Sequence, residues 1–234
     1  MIIGVLYTDS YTYMAKAKSK KSRDQLIDIS MNYLAKNGFE VSLGDLCKAT
    51  KIKKTRFKEE FESIEKFEQF VWCEMMRSAL STSQTDAQFA SFSKREKLLS
   101  VYYLFFENCG LNSDFLKASI NHHGKRGMLP VLSNLKEEFV SFISAIHQLS
   151  LPLGKQYKAS LSKISDAVVG EAFYGQLLLL LDFWSSDSSL DYEKTDIAIE
   201  KTVRASMDML DVTPVKSVID FAKFFWQERV SKTI

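Results

Sequence analysis

The sequence predicts an all-α fold, and three observations carry that prediction. Only 3 Pro and 9 Gly interrupt 234 residues, which suits long helices better than a loop-rich β protein. Apolar residues recur at i, i+3 and i+4 in segment after segment. Serines precede acids and amides at helix-start spacing, as in Ser22-Gln25, Ser42-Asp45 and Ser93-Glu96. With 46% hydrophobic residues, 17 of them Phe, the chain can bury a sizeable core in one or two domains.

Residues 1–21 read as a basic N-terminal arm ahead of the first domain. Lys16, Lys18, Lys20, Lys21 and Arg23 make it suited to phosphates, and Met14 would serve as an alternative start. Ser22 is expected to cap the first helix, which carries Leu26, Ile29 and Tyr33 and stops at Asn37-Gly38. Ser42 starts a second, short helix with Leu43, Leu46 and Cys47 on one face. Ala49-Thr50-Lys51 gives a tight turn plugged by Ile52, and a third helix follows with Phe57 and Phe61 at i, i+4. Two short helices around a tight turn, the second rich in Lys and Arg, read as a helix-turn-helix. With about 100° per residue, an inward Phe57 puts Thr55 at about 160°, flanked by Lys54, Lys58 and Arg56. Such donors suit guanine edges and phosphates, and a Thr can touch a base edge or methyl.

Residues 22–70 resemble the DNA-binding domain of the tetracycline-repressor (TetR) family. The resemblance rests on Asn37-Gly38-Phe39, on Ser42-Leu43-x-Asp45-Leu46, on Ile52 after the turn and on Phe61 before the next helix. It implies a three-helix DNA-binding head at 22–68 and a helical ligand-binding and dimerisation domain at 69–234. The base-reading positions then fall on Lys54, Thr55 and Arg56, with Lys58 on base or backbone. Ser42, Lys51, Lys53 and Lys66 complete the expected DNA-contacting set. Three positions depart from the family pattern: Lys51 replaces the usual turn glycine, Lys58 the common aromatic, and Ile64 the lysine that opens the fourth helix.

Ser63 starts a fourth helix carrying Phe67, Phe70, Val71 and Met75, with Glu62 and Glu65 suited to its dipole. After a Ser/Thr/Gln-rich loop, the Ser93-Glu96 capping box opens a fifth helix at 94–108, apolar nearly all round. A sixth runs from Ser113-Asp114 to about His122. Gly124 and Gly127 bracket a turn, and Pro130 fits the first position of a seventh helix reaching Leu149. A loop at 150–159 precedes an eighth helix at 160–184 and a ninth at 191–211. Thr213-Pro214 restarts a terminal helix.

Composition excludes several functions. The net charge is +2, but residues 1–58 hold 12 Lys/Arg against 5 Asp/Glu, and residues 59–234 hold 19 against 24. A basic head on a mildly acidic body favours a polyanion partner. Cys47, Cys73 and Cys109 have neither CxxC spacing nor an even count, which suits buried thiols in a reducing cytosol. No segment reads as a signal peptide, and the apolar run Leu177 to Leu181 is far too short to span a membrane. A soluble cytoplasmic protein is expected. No catalytic motif or metal-ligand spacing is found, His122-His123 included, so neither enzyme activity nor a cofactor is expected.

The resemblance implies an effector pocket among helices four to eight. Its aromatic and polar candidates are Trp72, Met76, Tyr102, Tyr103, Phe106, His122, Phe139, Ile143, His147, Phe173 and Tyr174, which suit a lipophilic or aromatic molecule. Phe173, Leu177, Leu181 and Trp184 form one apolar stripe, and Ile199, Val203 and Leu210 another. In TetR-like proteins the last two long helices build a four-helix dimer interface, so these stripes are the expected contact between two copies. The partners are therefore double-stranded DNA at a palindromic operator, a second copy of the chain and a small-molecule effector, with the protein acting as a repressor. An alternative stays open: a degenerate helix-turn-helix that works through protein partners or coats DNA without reading it.

Overall fold

Alanine and lysine are strong helix formers, and residues 15–21 contain neither Gly nor Pro. The first helix accordingly starts two turns ahead of Ser22: α1 is Met14–Asn37. Ser22 lies within it, so the cap expected there is not one. The structure, a computed structural model, describes residues 14–146 and 155–211, and side chains within 23–146 and 169–208. Residues 1–13, His147 and the terminal helix after Thr213 lie outside the described residues, as does the side chain of Leu210.

Gly38 closes α1 with φ +78°, its N–H donating to Leu34 O at 2.8 Å. Next come α2 (Leu43–Thr50), α3 (Lys54–Phe61) and α4 (Ile64–Thr85). Ser42 and Ser63 cap α2 and α4 as the sequence predicts, their hydroxyls accepting from the N–H of Asp45 at 3.1 Å and of Lys66 at 3.2 Å. The Ser63 hydroxyl also holds the Glu65 carboxyl below its ordinary range. A 3-10 turn at Phe89–Ser91 leads to α5 (Lys94–Leu111), opened by the reciprocal Ser93–Glu96 capping box.

The sixth helix departs most from expectation. Helix α6 spans Ser113–Val131, broken at Gly124 by φ 63°, ψ 174°. That backbone geometry is essentially open to glycine alone. The chain re-enters helix within one residue, so Pro130 falls near the end of α6 and not at the start of α7 (Ser133–Ile146). Then come α8 (Lys155–Ser186) and, after a second 3-10 turn, α9 (Glu193–Asp211).

Helix α4 is the central strut. It packs on α5, α6 and α7; α7 packs on α8, α8 on α9, and α9 back on α5, while α1 lies on α6. Aromatics run without a gap from head to body, all buried except the partly buried Phe39. Phe57 meets Phe61 and Phe67 at ring separations of 5.6 and 5.7 Å, Phe67 meets Phe115 at 6.1 Å, and Phe115 meets Phe39 at 5.3 Å. All three cysteines are free and buried.

The entry to α9 is fixed by one buried carboxylate. Asp187 accepts from the backbone N–H and hydroxyl of Ser189 at 2.9 and 2.7 Å, and from those of Thr195 at 2.9 and 2.7 Å. Burial raises its carboxyl, but these four bonds outweigh burial and hold it down at about 2, against an ordinary 3.8. Because the folded value is the lower one, the stabilisation is present above 3.8 and is lost as pH falls through about 2. Asp187→Ala is expected to cost about 1–2 kcal/mol at pH 7. Urea unfolding of both proteins should show that gap narrowing at pH 3. A gap that does not change with pH would refute the assignment.

Candidate DNA interface and effector core

The third helix faces as the wheel predicts. Phe57 and Phe61 are buried, locking α3 onto α4 through Phe67, while Lys54, Thr55 and Lys58 are exposed and Arg56 is partly so. Lys53 is the N-cap residue of α3 and makes no capping bond, so its side chain is left at the surface with Lys51. Lys51 takes the left-handed conformation, φ 59°, that the family's glycine would supply without strain. Ser42 is exposed at the N-terminus of α2, and Lys66 on the first turn of α4 reaches Gln69 at 3.1 Å. The expected DNA-contacting residues thus lie on α3, the turn before it and the first turns of α2 and α4. A duplex laid against α3 would meet Lys54, Thr55 and Lys58 at the groove and backbone N–H groups at the flanking helix starts.

Two residues outside that set shape it. Glu60 accepts a hydrogen bond from Arg23 Nε at 2.9 Å and pairs with Arg56, whose Nη2 lies 3.0 Å from its other oxygen in an ion pair. The Arg23 guanidinium lies over the rings of Phe70 and Phe61, 4.9 and 5.6 Å from their centroids. The i, i+4 spacing of Arg56 and Glu60 is visible in the sequence, but Arg23 is 37 residues away from Glu60 and nothing local announces it.

In the body, Trp72, Met76, Tyr102, Phe106, Phe139, Ile143, Phe173 and Tyr174 are all buried. They pack on one another. Tyr102 stacks on Phe139 at 5.7 Å and leans on Phe106 at 6.5 Å, and Trp72 Nε1 donates to Ser119 Oγ at 3.0 Å. Tyr102 OH donates at long range to Phe173 O, 3.4 Å away, and to Gln176 Oε1, 3.3 Å away. The Gln176 Nε2 beside it is buried with no partner among the described residues, a polar handle the sequence reading missed. Burial raises the phenols of Tyr102 and Tyr174, the latter to about 12 with Glu171 adding to the effect. Tyr103 is only half-buried. A cleft of about 80 Å³ opens elsewhere, between α1 and the α5–α6 corner, where Asp28, Asn32, Asn112 and Phe115 help to line it. None of the effector candidates borders it.

A family model described as "Tetracyclin repressor-like, C-terminal domain" matches residues 97–225, more than half of the chain. The chain belongs to the tetracycline-repressor-like family. It is a TetR-family transcriptional regulator, all-helical over its described residues, as the resemblance of the head implied. The match starts within α5, so the helix-turn-helix of this TetR-family chain is identified by its own residues and geometry. No curated protein sequence matches the chain. Regulators of this family are generally not enzymes. No described helix is long and apolar enough to cross a membrane.

The residues expected at the dimer contact, and His122 among the effector candidates, sit as follows. Phe173, Leu177, Leu181, Trp184, Ile199 and Val203 face the regulator's own core. The exposed stripe lies alongside it: Leu179 is 72% exposed, Phe183 43% and Ile197 51%. His122 is exposed and does not join the effector candidates, because it sits two residues before the α6 break, where it stacks on Phe39 at 5.8 Å. Its neighbour His123 holds the buried carboxylate of Glu68, with Nε2 2.9 and 3.1 Å from the two oxygens. Phe39, His122, His123 and Glu68 therefore join the turn after α1 to α4 and α6.

Proposed function

We propose that this regulator is a homodimeric repressor that binds a palindromic operator and is released by a lipophilic or aromatic molecule. The observation that carries the reading is the face of α3, where Lys54, Thr55 and Lys58 stand clear of the core around the partly exposed Arg56. Dimerisation draws support from Leu179, Phe183 and Ile197 on the packed pair α8–α9, an exposed apolar set suited to a second copy. The effector reading draws support from the aromatic core around Tyr102 and the unpartnered amide of Gln176, suited to a mostly apolar molecule with one acceptor. Release would work through α4, which carries Trp72 and Met76 in that core and leads directly out of α3.

The test is binding to DNA from upstream of the protein's own coding region, beside scrambled DNA, at two salt concentrations. A preference of about a thousandfold that persists near physiological salt is expected. Arg56→Ala should weaken operator binding by roughly tenfold to a hundredfold and relax the preference at one base pair in each half-site. Weak binding that ignores sequence and vanishes with salt would overturn the reading in favour of a partner-binding protein. Molecules found by thermal shift should then lower operator affinity; a binder that leaves it unchanged would refute the effector mechanism.

A further inference from the structure

We propose that Glu60 is a specificity-determining positioning residue: it fixes Arg56 for base reading, through an anchored chain Arg23–Glu60–Arg56. The proposal rests on the operator-binding reading and adds a residue that would itself make no base contact.

An acid on a DNA-facing helix calls for an explanation, because a carboxylate repels phosphate. Glu59 and Glu62 are exposed and can turn away into water. Glu60 is not free to do so. Its side chain is 20% exposed and engaged on both oxygens, by a hydrogen bond of 2.9 Å from Arg23 and an ion pair of 3.0 Å with Arg56. The charge-assisted bond from Arg23 is directional and fixes the carboxylate, and the ion pair draws Arg56 towards it. Arg23 is itself held, its guanidinium over Phe70 and Phe61 and Phe61 buried in the core of the head. Rigidity therefore passes from the aromatic core through Arg23 and Glu60 to Arg56.

The arrangement fits presentation better than concealment. A guanidinium has five N–H donors in a fixed fork, and Glu60 engages Nη2. Glu59 Oε2 stands 3.9 Å from Nη1, beyond hydrogen-bonding distance. The side chain of Arg56 is 37% exposed, so donors remain within reach of a guanine edge. A long, flexible arginine reads a base well only when its fork is held beforehand, since otherwise ordering it offsets the contact. With Glu59 the pairs around Arg56 balance in charge, and the exposed Lys53, Lys54 and Lys58 keep this face positive towards DNA.

The experiment uses the full-length protein. Wild type first selects sites from a random duplex library, and fluorescence anisotropy then measures the selected site and a scrambled one at two salt concentrations. Glu60→Gln and Glu60→Ala should bind scrambled DNA more tightly, by about threefold, because a negative charge is gone. They should bind the selected site more weakly, so that the specificity ratio falls tenfold or more. In an Arg56→Ala background, Glu60→Ala should lower that ratio no further. A Glu60→Gln protein that gains affinity for both DNAs with its ratio unchanged would overturn the proposal, leaving Glu60 as a charge brake only. So would a ratio unchanged in a protein that merely melts earlier. Should both variants unfold by circular dichroism, Arg23→Met keeps an apolar stem over the two rings and frees Glu60. It must lower the ratio in the same direction, or the proposal fails. Wild type that selects no sequence would instead overturn the operator reading, and this proposal with it.

Discussion

Replacing His123 with alanine is expected to cost about 3 kcal/mol, a fall in melting temperature of roughly 6–12 °C. The Glu68 side chain is only 2% exposed, and both its oxygens lie within hydrogen-bonding distance of His123 Nε2. Without the imidazole the carboxylate is left in the core with its partner gone, and that penalty exceeds the worth of the pair itself. Glu68→Leu with His123→Leu should recover most of the loss, because no buried polar group is then left without its partner. Thermal melts of His123→Leu, Glu68→Leu and the double variant form a cycle. An additive cycle would show that the two groups are not coupled. A second effect should accompany the first. The pair ties α4 to α6 next to the Gly124 break, so its loss should weaken the response of operator affinity to any effector, even where binding of the effector persists.

Trp72→Ala should cost about 4 kcal/mol, since a fully buried indole leaves a large cavity in a rigid core. Ser119→Ala should cost about 1–2 kcal/mol, because it strands the Trp72 N–H, whose acceptor is the Ser119 hydroxyl at 3.0 Å. Trp72→Phe keeps most of the volume and should fall between the two. Urea denaturation with circular dichroism orders the three. Finding Trp72→Ala within 1 kcal/mol of wild type would mean that the core collapses around the gap, as a loosely packed effector chamber would.

Local signals in the sequence proved reliable wherever the cause was itself local. Ser42, Ser63 and Ser93 each satisfy orphan N–H groups a few residues on, so the starts of α2, α4 and α5 could be read directly. The outward face of α3 followed from Phe57 and Phe61 one turn apart. Errors arose where two signals competed. Ser22 carries a cap signature, but the Ala/Lys run before it propagates helix through the serine. Pro130 fits a helix start, but Gly124 had already restarted the chain. On α8, apolar residues cover more than one face, so spacing could not say which face a second copy would meet. Leu177 and Leu181 turned inward, and Leu179 and Phe183 outward. The pairs Arg23–Glu60 and Glu68–His123 join residues 37 and 55 positions apart, a separation at which only the fold brings them together.

Gly124 offers a practical marker for reading other chains against this one. A β-carbon added there would meet no atom within 4 Å, so space does not demand glycine; the backbone does. Any chain aligned with this one that carries alanine or a larger residue at that position must either run its sixth helix straight or break it somewhere else. In such a chain the histidine before the break would be rotated away from the strut helix. A single column of an alignment would then sort relatives with this broken sixth helix from those without it.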